Sequence, residues 1–180
     1  MTSVGDYDLE HQIGAGAAGT VWKAHRRGPV ARVVALKRLR AGSGTADLAR
    51  MRREATVLTE LDHPHVVRVL EVLHDGDGVA IAMQYAPGGS LADVLAERGR
   101  LTPGQVVAVA APVAEALASA HRRGVLHGDV KPANILFTSD GEPLLGDFGV
   151  ARTLGLVTSD QITGTAEYLA PELLDGARPD

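Results

Sequence analysis

Three side chains in the run His127-Gly128-Asp129-Val130-Lys131-Pro132-Ala133-Asn134 have the types and spacing that phosphoryl transfer requires. Asp129 can orient a hydroxyl and take its proton, Lys131 can offset charge on a γ-phosphate, and the Asn134 amide oxygen can ligate Mg²⁺. Thirteen residues after Asn134, past a short apolar stretch, Asp147-Phe148-Gly149 offers a second oxygen ligand for the same ion.

Two groups upstream suit a nucleotide. Gly14-Ala15-Gly16-Ala17-Ala18-Gly19 has the G-x-G-x-x-G form, a weak signal by itself in a chain with 21 glycines. A dinucleotide-binding loop would open a helix, and a Walker loop would carry Lys after its last glycine. Here Thr20-Val21-Trp22-Lys23-Ala24 reads as a strand. The expectation is a strand-loop-strand flap in which Gly14, Gly16 and Gly19 let backbone amides approach phosphate oxygens while Val21 covers the base. A plain hairpin turn accounts for the glycines equally well in isolation. Lys37 lies on the inner face of a strand, and Glu54, seventeen residues later, on the inner face of a helix. Paired, they would hold the ammonium against the α- and β-phosphates. Singly, each is the kind of residue that sits solvated at a surface.

The elements needed to position these groups follow from periodicity. Residues 7 to 23 alternate as strands around the glycine turn, and Val33, Ala35 and Lys37 share one face of a further strand. Leu48, Met51, Ala55 and Leu58 recur at helical spacing, with Pro64 as the stop. Val66 to Leu73 and Val79 to Met83 read as a strand pair around Asp75-Gly76-Asp77-Gly78, and Pro87-Gly88-Gly89 marks a hinge. From Ser90 the pattern is helical, with a long segment from about Pro103 to His121. Pro112 falls inside it, and since a mid-helix proline costs about 3 kcal/mol, a kink or a break is expected there.

Composition narrows the function classes. The 180 residues carry 18 basic and 22 acidic side chains, a net charge of −4, which argues against a surface built for nucleic acid. The basic stretch from Lys23 to Arg53 reads as a solvated face. Hydrophobic residues make up 45% but aromatics only 3%, so the interior must be built of Val, Leu and Ala. Modest stability is the expectation. Without cysteine there is no disulfide framework and no thiolate chemistry, which suits a reducing, cytoplasmic location. No apolar stretch is expected to approach the roughly 18 residues of a membrane span, and the polar N-terminus lacks a signal-peptide pattern.

Taken in order, Gly14 to Gly19, Ala35-Leu36-Lys37, Glu54, Asp129, Asn134, Asp147-Phe148-Gly149, Gly164-Thr165 and Ala170-Pro171-Glu172 resemble the protein kinase family. The nearest look is that of the eukaryotic-type Ser/Thr kinases of bacteria. The resemblance covers nearly the whole chain. It implies an α+β, protein-kinase-like bilobal fold, with a β-rich N-lobe containing one helix over residues 1–86 and a partial helical C-lobe over 87–180. It also implies ATP and Mg²⁺ as cofactors and a Ser or Thr of a protein as substrate. By the same likeness Asp129, Lys131, Lys37 and Glu54 are catalytic, and Asn134 and Asp147 hold the metal. Gly14, Gly16, Gly19, Val21, Ala35, Lys37, Met83, Gln84, Ala86 and Leu136 contact the nucleotide, with Met83 as gatekeeper and Gln84 to Ala86 as the adenine-binding hinge. Leu58, Val69, His127 and Phe148 would form a regulatory stack, although core packing accounts for these apolar positions equally well.

Three departures qualify the likeness. Gly128 stands where the family's catalytic loop usually has Arg, which removes the guanidinium that grips a phosphorylated activation loop. Thr158 and Ser159 still lie where such kinases autophosphorylate. His-Gly-Asp with Asn five residues after the Asp also resembles aminoglycoside and choline-type small-molecule kinases, whereas Lys131, Gly164-Thr165 and Ala170-Pro171-Glu172 favour a protein substrate. Only eight residues follow Glu172, so the chain is expected to be truncated or a fragment of a longer kinase. Binding of nucleotide without catalysis is the reading this leaves open.

Overall fold

The computed structural model describes residues 2–16, 19–30, 32–40, 55–56, 58–76, 78–148 and 168. Two compact units emerge. Among the described residues, the first contains those up to Asp62 and Arg68–Tyr85; the second contains His63–Val67 and Ala86–Phe148.

The first unit is a six-stranded antiparallel sheet. Its strands are β1 (Ser3–Val4), β2 (Tyr7–Gly16), β3 (Gly19–Arg26), β4 (Arg32–Arg40), β5 (Val69–Asp75) and β6 (Gly78–Gln84), in the order β1-β2-β3-β4-β6-β5. Alternation drives its packing. Tyr7, Leu9, Ala24, Val34, Leu36, Ala80 and Ala82 share one face and join Val4 in a buried cluster, with Trp22, Leu70 and Leu73 against it. The small alanines let neighbouring strands present Leu36 and Val34 without crowding. The Tyr7 hydroxyl donates to the Glu71 carboxylate at 2.9 Å, and Arg38 spans two oxygens of Asp75 at 2.6 and 3.0 Å beside the β5–β6 turn. Of the expected helix, Ala55 is helical and buried and Leu58 sits in a single 3₁₀ turn, Leu58–Glu60; Leu48, Met51 and Glu54 lie outside the described residues.

The second unit holds α1 (Leu91–Arg98), α2 (Pro103–His121), a 3₁₀ turn (Pro132–Asn134) and the hairpin β7 (Ile135–Phe137) and β8 (Pro143–Leu145). Ser90 and Asp93 form a reciprocal cap on α1, and Thr102 and Gln105 do the same for α2, with Pro103 in its first turn. The segment before α1 crosses β7: Gly88 N–H donates to Phe137 O and Phe137 N–H to Gly89 O, each at 2.9 Å.

One expectation narrows and another changes. Of the kink or break expected at Pro112, the break does not occur: α2 is continuous through it. The proline removes only the bond to the Ala108 carbonyl, and Ala108 is exposed, so water can take that place. By length and composition α2 also suffices to cross a bilayer: it has 19 residues and a mean hydropathy of 1.2 over an 18-residue stretch. Its Ala and Val are interspersed with Gln, Pro, Glu and Ser, which is why the stretch does not stand out as an apolar block. Its buried residues, Val113, Ala116, Ser119 and Ala120, recur at helical spacing, and α2 packs against β8.

Candidate active site

In the first unit, Lys37 projects from the middle of β4, opposite Val21 on β3 and Ile81 on β6, and is only 5% exposed. Ala35 pairs with Met83, and Gln84 N–H donates to Arg68 O at 2.9 Å. Thus Val21, Ala35, Lys37 and Met83 lie within two registers of one another on three adjacent strands; Ala86 follows the last. Glu54, the expected partner of Lys37, lies outside the described residues, as do Ala17 and Ala18.

The three glycines of the loop differ in kind. Gly14 pairs with Val21, and Gly16 with Gly19. Gly19 has φ +136°, and a Cβ there would collide with the Arg38 carbonyl oxygen, so the fold itself demands glycine. Gly16 has open space around its missing Cβ. The fold does not require glycine at 16, whereas close approach by a ligand would.

In the second unit the expected catalytic residues come together. Both Lys131 Nζ and Asn134 Nδ2 bind the same oxygen of Asp129, Oδ2, at 2.8 and 3.0 Å. Asn134 Nδ2 also donates to the Asp129 backbone carbonyl at 2.7 Å. Both partners are pure acceptors, which settles the amide orientation: nitrogen faces Asp129, and Oδ1 is left as the coordinating atom.

His127 organises this loop from beneath. It is 2% exposed, donates from Nε2 to Gly146 O at 2.8 Å, and accepts at Nδ1 from the Asp129 N–H at 3.2 Å. Only the neutral Nε2–H tautomer does both. Burial, the largest influence, pushes its pKa below the ordinary value, against the opposing effects of the Gly146 carbonyl and nearby Asp129 and Asp147. Its ring also meets Phe148, centroids 4.6 Å apart. The likeness placed His127 in an apolar stack; its polar role escaped the sequence reading, since nothing in the pattern says which carbonyl a buried imidazole will find. Gly128 has φ +73°, so Arg at this position would be strained.

Asp147 is the one non-glycine among the described residues with positive φ, +57°. Such a conformation costs about 1–3 kcal/mol and persists only where the surroundings impose it. The hairpin does so: Ile135 pairs with Leu145, Gly146 N–H donates to Asn134 O at 2.8 Å, and Asn134 and Asp147 emerge at the same end of β7 and β8. Leu136 pairs with Leu144 on that hairpin.

Residues 7–179 match the protein kinase domain. Serine/threonine-protein kinase PkaA of Streptomyces coelicolor is 39% identical over 195 residues, and PkaB of the same organism 41% over 189, each across 98% of this chain. Serine/threonine-protein kinase PknJ of Mycobacterium tuberculosis is 41% identical across 94% of it. The chain spans 36%, 45% and 30% of the lengths of these three relatives. The match covers most of the chain, and the chain belongs to the protein kinase domain family.

Proposed function

We propose that this chain transfers the γ-phosphoryl group of ATP to Ser or Thr hydroxyls of proteins. One observation carries the reading: Lys131 and Asn134 both hold Oδ2 of Asp129, which leaves Oδ1 to meet a hydroxyl. An incoming hydroxyl would be oriented by Oδ1 and give up its proton there as its oxygen bonds to the γ-phosphorus and the bond to the bridging oxygen breaks, ADP leaving. Lys131 would sit beside the charge that develops on the transferred group. Kinases of this family use ATP with a divalent cation, and the residues present fit one: Asn134 Oδ1 and the Asp147 carboxylate are the hard oxygen donors that Mg²⁺ prefers. When bound, Mg²⁺ would neutralise phosphate charge. On the first unit, Lys37 would meet the α- and β-phosphates, and Ala35, Val21 and Met83 would line the base. Thr158 and Ser159 are candidate autophosphorylation acceptors.

The test is phosphate incorporation from labelled Mg-ATP into a degenerate Ser/Thr peptide mixture, compared with Asp129→Asn. A loss of about 10²–10⁴-fold is expected. Undiminished incorporation by the variant, or transfer to an aminoglycoside in preference to peptides, overturns the reading.

A further inference from the structure

His63–Val67 belong to the second unit although the residues flanking them in sequence belong to the first. They lie parallel to β8, on its edge away from β7, with Val66 opposite Leu145. Two rungs hold them: Val67 N–H donates to Leu145 O at 2.9 Å, and Leu145 N–H to His65 O at 2.8 Å. In a regular parallel ladder the next rung would run from His65 N–H to Pro143 O. It does not form. His65 N–H points instead to Nδ1 of His63 at 3.2 Å, and the Pro143 carbonyl is taken at 3.0 Å by Nδ1 of the His65 ring. A carbonyl only accepts, so His65 Nδ1 carries the hydrogen. A side chain thus replaces a backbone rung.

This substitution bears on the site because β8 feeds it directly. β7 and β8 have three residues each, and a two-stranded ribbon of that size is marginal alone. Gly146 follows β8, and Val67 Cγ2 lies 3.2 Å from where a Gly146 Cβ would stand. Any slip of β8 against 63–67 would displace Gly146 and, with it, Asp147.

We infer that His65 is a positioning residue for Asp147: the bond from its ring to the Pro143 carbonyl fixes β8 in register and so sets the Asp147 carboxylate for a divalent cation. This rests on the role proposed above for Asp147. Its test uses the whole chain, with Mn²⁺ as the probe, in the presence of a non-hydrolysable ATP analogue, free Mn²⁺ being read by electron paramagnetic resonance. His65→Asn places an amide N–H where Nδ1–H now stands, and His65→Gln places it one atom too far. Groups that bond a metal ligand directly cost about 10–100-fold in affinity when removed; His65 acts less directly, through the register of β8, so His65→Ala and His65→Gln are each expected to weaken Mn²⁺ roughly 3- to 10-fold. His65→Asn, which keeps the bond to the Pro143 carbonyl, stays near the parent affinity. In the peptide assay the two weakened variants need more cation for half-maximal rate but reach the parent rate at saturation. Asp147→Asn, as control, loses most Mn²⁺ binding; if it does not, the metal role of Asp147 fails. If Asp147→Asn loses the ion while His65→Gln and His65→Ala keep parental affinity, whatever their melting temperatures, the inference is overturned. Equal weakening in His65→Asn and His65→Gln overturns it too.

Discussion

The sheet of the first unit and the hairpin end of the second hold functional residues in place by different means. Lys37 sits mid-strand in a nine-residue β4, with partners on both sides supplied by backbone ladders and an apolar cluster beneath. Asp129, Asn134 and Asp147 sit on loops and a 3₁₀ turn beside three-residue strands, tied by His127, by Asn134 itself and by the 63–67 segment. The first arrangement distributes support over many small contacts; the second concentrates it in a few polar bonds. Substitutions should therefore act through volume in one region and through unsatisfied donors and acceptors in the other.

The largest effect is expected where volume matters most. Leu36 is fully buried at the centre of the sheet, and Leu36→Ala should destabilise the first unit by about 2–5 kcal/mol. The single tryptophan, Trp22, packs on the same cluster, so its fluorescence during denaturant unfolding measures this directly. A loss under about 1 kcal/mol would show that the sheet is not held by packing of this kind.

His127→Ala is the counterpart in the second unit. It leaves the Gly146 carbonyl and the Asp129 N–H without a partner, at about 1–3 kcal/mol for an orphaned buried group. The pH profile separates this from simple loss of volume. The folded state binds a proton to His127 only below the ordinary value near 6.5, so under that pH the unfolded chain holds more protons and stability falls with acidification. The His127→Ala variant should lack that part of the slope. An unchanged slope would mean that His127 is not held neutral.

The glycine loop bridges the two modes of support. Gly19→Ala meets both a disallowed φ and the Arg38 carbonyl, and should cost stability by about 1–3 kcal/mol. Gly16→Ala meets nothing and should leave stability near the parent value while weakening nucleotide binding, read by titration calorimetry. Equal effects on stability would erase the distinction between a glycine needed by the fold and one needed by a ligand.

Legibility in the sequence divided along the same line. Alternation reported β2, β3, β4 and β6 and the pairing across Gly76 because a side chain's face in a strand follows from its position alone. The catalytic cluster was legible from residue types, since an acid, a cation and an amide within six positions must come close. What held them was not. The His127–Gly146 and His65–Pro143 bonds join residues 19 and 78 positions apart, and a side chain reaching a distant carbonyl leaves no period to read. That α2 does not break at Pro112 was open for a related reason: whether a lost backbone bond matters depends on access of water to the orphaned carbonyl.

The smallest effect belongs to the exposed rim of the sheet. Glu10 takes a bond from His25 at 2.7 Å, with Lys23 at 3.1 Å and His11 at 3.2 Å, and its pKa is lowered from 4.5 to about 2, the His25 bond being the main cause. Taken alone, a folded-state value below the unfolded one adds stability above pH 4.5 and loses it as pH falls through about 2. Glu10 keeps substantial exposure, however, and water and salt compete with every one of its partners. Glu10→Gln should therefore change the melting temperature least of all, and the Glu10 titration midpoint, read by NMR, should move back toward 4.5 in about 1 M salt, where screening acts over about 3 Å. A midpoint that ignores salt, with a large loss on substitution, would mean that the rim of the sheet is held by concentrated polar bonds as the catalytic hairpin is, and the contrast between the two units would fail.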